Sequence, residues 1–136
     1  MSEIDYRIGG DLSLDAVIDV YNNSTLGVRR PVDDRARFDD MFRHANLIAT
    51  AWDGPQLVGI SRSFTDYSYV TYLSDLVVRE SHQRKGIGKE LIRRTQSAAP
   101  KAYIVLLAAP LAAEYYGPIG FEKHDRAWVL PVGKRI

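Results

Sequence analysis

Between positions 83 and 89 the chain reads Gln83-Arg84-Lys85-Gly86-Ile87-Gly88-Lys89. Two glycines at i and i+2 free the dihedrals of a turn there and let a ligand approach the backbone closely. If a helix starts at this point, its first amides point outward without intrahelical partners, and its dipole adds positive potential. Such a turn suits a phosphate or pyrophosphate. It is neither GxGxxG nor GxxxxGK[ST]. Between Arg79 and Arg94 six basic side chains (Arg79, Arg84, Lys85, Lys89, Arg93, Arg94) face two acidic ones (Glu80, Glu90). The segment therefore carries +4 in a chain whose total is +1, and the remainder carries −3. The competing reading is a solvated basic helix face with a glycine-bearing turn.

Other chemistries find little support. With no cysteine there is no disulfide framework, thiolate zinc site or cysteine nucleophile. His44, His82 and His124 are scattered and none has metal-ligand spacing, so no metal is expected. A near-balanced total charge argues against a nucleic-acid binder. No apolar run approaches the roughly 20 residues that span a bilayer. The start, Met1-Ser2-Glu3-Ile4-Asp5, is acidic and unlike a signal peptide. These features predict a cytoplasmic protein with neither a membrane nor a nucleic-acid partner. A length of 136 residues fits one domain, 1–136.

The elements that must position the glycine turn follow from periodicity. Ile4 to Ile8 alternates as a first strand, and Ser13 is placed to cap a helix carrying Leu14, Val17, Ile18 and Tyr21 on one face. A second helix starts near Asp33 or Asp34, with Phe38, Met41, Phe42 and Ala45 as its apolar face. Leu47 to Trp52, Gln56 to Phe64 and Tyr69 to Val78 read as three antiparallel strands, the first two joined by Asp53-Gly54-Pro55. Ser74-Asp75 interrupts the third, which predicts a bulge or a functional break. Gly86 to Ser97 is helical and Ala102 to Leu107 a strand, a pairing that predicts a parallel crossover. A helical stretch over Leu111 to Tyr116 and a strand over Ala127 to Val132 complete the order β-α-α-β-β-β-α-β-α-β of an α/β domain.

Three segments in this order resemble the GCN5-related N-acetyltransferase (GNAT) superfamily. Gln83 to Gly88 satisfies its acetyl-CoA signature [QR]-x-x-G-x-[GA]. Tyr72-Leu73-Ser74-Asp75-Leu76-Val77-Val78 is similar to its fourth strand. Tyr115-Tyr116-Gly117-Pro118-Ile119-Gly120-Phe121 resembles its aromatic-Tyr-x-x-x-Gly-Phe segment. The resemblance implies a mixed central sheet whose fourth and fifth strands splay to admit acetyl-CoA as cosubstrate. It assigns the pyrophosphate to Gln83, Arg84, Lys85, Gly86, Ile87, Gly88 and Lys89. Backbone groups of Leu76, Val77 and Val78 would pair with the pantetheine arm. Tyr116 would assist departure of the CoA thiolate, or else be a packing tyrosine. Asp75 would take the proton of the acceptor amine, or serve a bulge or bind substrate; Glu114 is the weaker candidate. Two departures stand out: Gly117-Pro118 where a charged pair is common, and Ala108-Ala109-Pro110 where an asparagine is common.

The implied function is acetyl transfer from acetyl-CoA to the primary amine of a small molecule or peptide, by direct attack in a ternary complex. The alternative is a non-catalytic acyl-CoA-binding or regulatory module on the same fold, and a homodimer is compatible with either. Trp52, Phe64, Tyr67, Tyr69, Tyr72 and Trp128 are candidates to line the acceptor site, with Asp33, Asp34 or Asp66 attracting a cation.

Overall fold

The computed structural model describes residues 3–136; Met1 and Ser2, the beginning of the acidic start, lie outside the described residues. The elements run β1 (Ile4–Ile8), α1 (Leu14–Asn22), α2 (Arg35–His44), β2 (Leu47–Asp53), β3 (Gln56–Thr65), β4 (Val70–Val78), α3 (Ile87–Ala98) and β5 (Tyr103–Val105). Five strands form one sheet in chain order; the first four are antiparallel, and β5 lies parallel to β4 across the α3 crossover. Ser13 caps α1 by accepting from Ala16 N, and Asp34 caps α2 by accepting from Arg37 N.

Strand alternation sends side chains to both faces of the sheet, and a small third cluster of Leu47, Ala99 and Ala102 lies at the end of α3. On one face Val17, Val20 and Tyr21 of α1 and Phe38 of α2 bury against Leu57, Ile60 and Val77. Tyr21 meets Phe38 edge-on, with ring centres 5.0 Å apart. On the other face Ile87 and Leu91 of α3 pack on Ala49, Ala51 and Val58. Small residues let α3 sit low on the sheet: a Cβ on Gly59 would meet Leu91 Cδ1 at 3.0 Å, Ile87 Cγ2 at 3.2 Å and Ala51 Cβ at 3.4 Å. Gly59→Val should therefore overpack this face and destabilise the fold by about 1–3 kcal/mol, read as a lowered thermal midpoint. An unchanged midpoint would show that α3 yields freely.

Two expected elements do not form as read. Leu111 to Tyr116 is not an α-helix; single 3₁₀ turns occupy Pro110–Ala112 and Gly117–Ile119. The six residues between Pro110 and Gly117-Pro118 are too few for a self-supporting helix. Ala127 to Val132 carries no strand, and Trp128 is 93% exposed. A strand needs a neighbour to satisfy its backbone, and Pro131 removes one donor. The fifth strand is shorter than read, covering 103–105 of 102–107.

Candidate functional site

The glycine turn sits where β4 passes into α3. Arg84 and Gly86 both take left-handed backbone, with φ of 62° and 81°. A non-glycine residue at positive φ is costly, of order 1 kcal/mol, and such strain concentrates at functional sites. Gly86 is the N-cap of α3 and supplies no side chain, so the amides of Ile87, Gly88 and Lys89 have no capping partner. Space around Gly86 is open: a Cβ built there meets no atom within 4 Å. Arg84, Lys85 and Lys89 are exposed beside it. The turn thus offers free N–H groups, a helix N-terminus and positive charge to an anion.

Its anchorage is firm on several sides. Gln83 Nε2 donates to Val78 O at 3.1 Å, closing the base of the turn. Arg79 N donates to Val58 O and Glu80 N to Asn23 O, each at 2.8 Å. Arg79 Nη2 reaches Asp19 Oδ2 at 2.5 Å, and His82 Nε2 lies 2.9 Å from Asp53 Oδ2 in the β2–β3 hairpin.

Upstream, β4 is open along one edge. It pairs with β5 only through Val70, Thr71 and Tyr72. Among the described residues no strand covers Leu73 to Val78 on that side. The two strands therefore part beyond Tyr72, as the splayed arrangement requires. On its other side β4 stays paired with β3, but Arg62 opposes Asp75 and Ser63 opposes Leu73, leaving Ser74 as the extra residue of a bulge. The polar interruption seen in the sequence is this bulge.

Asp75 is fully buried beneath it. Its oxygens accept from Tyr21 Oη at 2.6 Å, Arg30 Nε at 2.7 Å, Arg62 Nε at 2.8 Å and Ser74 Oγ at 3.3 Å. Burial alone would raise this carboxyl's pKa. The hydrogen bond and charge of Arg62, with Tyr21 and Arg30, outweigh it and hold the group below its ordinary value. Burial, and then the Asp75 charge, push the Tyr21 hydroxyl well above the usual phenol range. Arg62 also donates to Met41 O and Ser74 Oγ, and Arg30 to Ser74 O. Sequence reading missed Tyr21, Arg30 and Arg62 as a set. The available signal was Arg62, a cation inside the apolar run of β3, which needs a buried anion.

Tyr116 is half-buried among aromatic rings, 5.1 Å from Tyr115 and 5.4 Å from Phe121 between centres. Burial, with a smaller contribution from Tyr115, pushes its hydroxyl up to about 12. Tyr115, read from the sequence as packing, comes closer to the turn: its hydroxyl lies 3.0 Å from where a Gly88 Cβ would stand. Glu114 is exposed and 3.6 Å from Lys123 Nζ. Of the expected acidic attractants, Asp34 is the α2 cap. Asp66 accepts from the amides of Ser68, Tyr69 and Val70, which lower its pKa and make it a turn former. Asp33 lines a cleft with Arg30. Trp52 stacks under Arg7 at 4.6 Å and is tied to the α1–α2 core.

Comparison with known proteins bears on this geometry. Residues 26–129 match the family model described as the acetyltransferase (GNAT) domain. No curated protein sequence matches the chain. Among solved structures, a GNAT family acetyltransferase, SP0256 of Streptococcus pneumoniae TIGR4, is 23% identical with a TM-score of 0.76, covering 98% of this chain and 100% of its own. Aminoglycoside N-acetyltransferase AAC(6')-Iy, solved with CoA, is 18% identical with a TM-score of 0.76, covering 100% and 97%. A Trypanosoma brucei acetyltransferase is 20% identical with a TM-score of 0.70, covering 96% and 100%. At these identities the likeness shows a shared fold. Among the described residues no helix is long and apolar enough to cross a membrane.

Proposed function

The chain belongs to the GNAT acetyltransferase family, and from that premise we propose that it moves an acetyl group from acetyl-CoA to a primary amine. The observation that carries this reading is the open β4 edge from Leu73 to Val78, which leads directly into the left-handed turn at the α3 N-terminus. One continuous stretch thus offers backbone groups for an extended arm and amides for its phosphates. The amides of Ile87, Gly88 and Lys89 take the pyrophosphate, with Arg84 and Lys85 adding charge. Leu76, Val77 and Val78 border the pantetheine arm, which brings the thioester toward the bulge at Ser74.

In the reaction the neutral amine nitrogen attacks the thioester carbonyl carbon and a C–N bond forms. Negative charge collects on the carbonyl oxygen, where a strand amide at the β4 bulge stabilises it. The C–S bond then breaks, the amine nitrogen loses its proton to solvent, and CoA departs as a thiol or thiolate. Transfer is direct, since the chain has no cysteine to hold the acetyl group.

Each proposed catalytic residue takes one of the roles the sequence left open. Asp75 is saturated with donors and has a lowered pKa, which makes it a weak proton acceptor. We assign it to holding the bulge and the α1–α2 loop together. A proton passed from a phenol near 12 to a thiolate of ordinary pKa near ~8.5 runs uphill. Tyr116 accordingly helps by donating a hydrogen bond to the departing sulfur.

The test is free-thiol release from acetyl-CoA across a panel of amines, with product identification. Tyr116→Phe should slow turnover about tenfold, the worth of one hydrogen bond to a charged group, while CoA affinity stays the same. Wild-type kcat/KM should climb from pH 6 to 9 with the free-amine fraction, because Tyr116 remains protonated throughout. An unaltered rate in the variant removes Tyr116 from the mechanism. Tight CoA binding without turnover of any amine would favour the non-catalytic module instead.

A further inference from the structure

We propose that the cleft beside Arg30 is a carboxylate subsite, and that the acceptor is an amine that also carries a carboxylate, as an amino acid does. The inference rests on the acetyl-transfer reading and names its substrate class. The cleft, about 190 Å³, is formed by the α1–α2 connection, with Ser24, Gly27, Arg30, Val32 and Asp33 among its walls. It is smaller than the ~300–1,000 Å³ of pockets that enclose drug-sized ligands. It fits one end of a small acceptor.

Three observations point to an anion. The first is stoichiometry: Arg30 and Arg62 share the single carboxylate of Asp75, and neither has another ion-pair partner among the described residues. Two guanidiniums with one buried anion leave an unbalanced positive charge, which favours a second anion where one can reach. Arg62 is buried, so the accessible member is Arg30, whose side chain is 23% exposed.

The second is donor capacity. A guanidinium carries five N–H groups. Arg30 uses three: Nε to Asp75 Oδ1 at 2.7 Å, Nη1 to Arg29 O at 3.0 Å and Nη2 to Ser74 O at 3.0 Å. The remaining two are on the terminal nitrogens and are free to hold a carboxylate. The third is position. Arg30 Nη2 touches the bulge residue Ser74 on the open stretch of β4, so an anion on Arg30 lies beside the proposed thioester site. In an α-amino acid one carbon separates the carboxylate from the nucleophilic amine, which suits this proximity. Asp33 also lines the cleft, but it is exposed and forms no ion pair with Arg30, which leaves Arg30 without a second anionic partner among the described residues.

The experiment pairs acceptors that differ in the carboxylate: phenylalanine against 2-phenylethylamine, and alanine against ethylamine. Wild-type kcat/KM at matched free-amine concentration should favour the amino acid by about tenfold or more. Arg30→Gln should collapse that ratio, and Arg30→Lys should retain part of it. A purely structural lesion lowers both members of a pair and leaves the ratio unmoved. Calorimetric binding of phenylalanine and of 2-phenylethylamine to the CoA-saturated protein gives a readout independent of turnover. Preferential phenylalanine binding without turnover upholds the subsite and defeats acetyl transfer. Turnover with no preference, or with preference for the simple amine, overturns the subsite alone. Neither binding nor turnover defeats both.

Discussion

Asp75→Asn is expected to destabilise the fold by about 3–5 kcal/mol at neutral pH, the range for breaking a buried ion pair. The side chain keeps its shape and loses its charge, so two guanidiniums remain beneath the β4 bulge with no anion between them. Tyr21 Oη also loses a charged acceptor. The effect has a pH signature with a defined sign. Because the folded carboxyl titrates below its unfolded value near ~3.9, its stabilisation is fully present above that value and is lost as pH falls through the lower, folded pKa. The stability gap between wild type and variant, measured by urea unfolding, should therefore be constant from pH 5 to 8 and shrink in more acidic buffer. A gap below 1 kcal/mol at pH 7 would mean that the arginines find solvent instead. If the variant does not fold, Tyr21→Phe removes one hydroxyl from the same carboxylate, and about 1–3 kcal/mol should be lost.

Gly86→Glu should weaken CoA binding about a hundredfold. The side chain must start from backbone at φ 81°, which disfavours any L residue. It also places a carboxylate where the pyrophosphate is proposed to sit. Like charges about 4 Å apart repel by a few kcal/mol at the effective dielectric of a protein surface, enough for that loss. No protein atom lies within 4 Å of the added Cβ, so the side chain fits the protein and its bulk falls in the space proposed for the ligand. Gly86→Ala separates the two causes: it carries the backbone strain without the charge and should retain most of the affinity. Calorimetric titration with CoA, alongside circular dichroism to confirm folding, gives the answer. A folded Gly86→Glu protein with undiminished affinity would sink the pyrophosphate assignment.

How much of this was legible in the sequence depended on range. The glycine turn could be read because its geometry is local: left-handed Gly86 and the exposed cations around it lie within a few residues of one another. The same holds for the Ser13 cap, the amphipathic faces of α1 and α2, and the Ser74 bulge, which broke an apolar run. The Asp75 set was hidden because its partners lie far apart along the chain, at Tyr21, Arg30 and Arg62, and only the sheet register and α1 packing bring them together. The errors near the C-terminus have a matching cause. Residues 111–116 and 127–132 had helix-like and strand-like patterns, yet pattern without a partner surface does not fix backbone. Leu111 and Trp128 remain exposed.

Arg30 belongs to two parts of the molecule at once, the wall of the α1–α2 cleft and the buried set around Asp75. In evolutionary terms, this ties ligand preference to foldedness. A lineage drifting toward new small molecules would ordinarily edit a surface loop at little risk. Here a change at Arg30 that removes its bonds to Asp75 and Ser74 also removes contacts beneath β4, so cleft and fold are altered together. The exposed wall at Val28 has no such tie, so a change there would reshape the cleft without touching the Asp75 set.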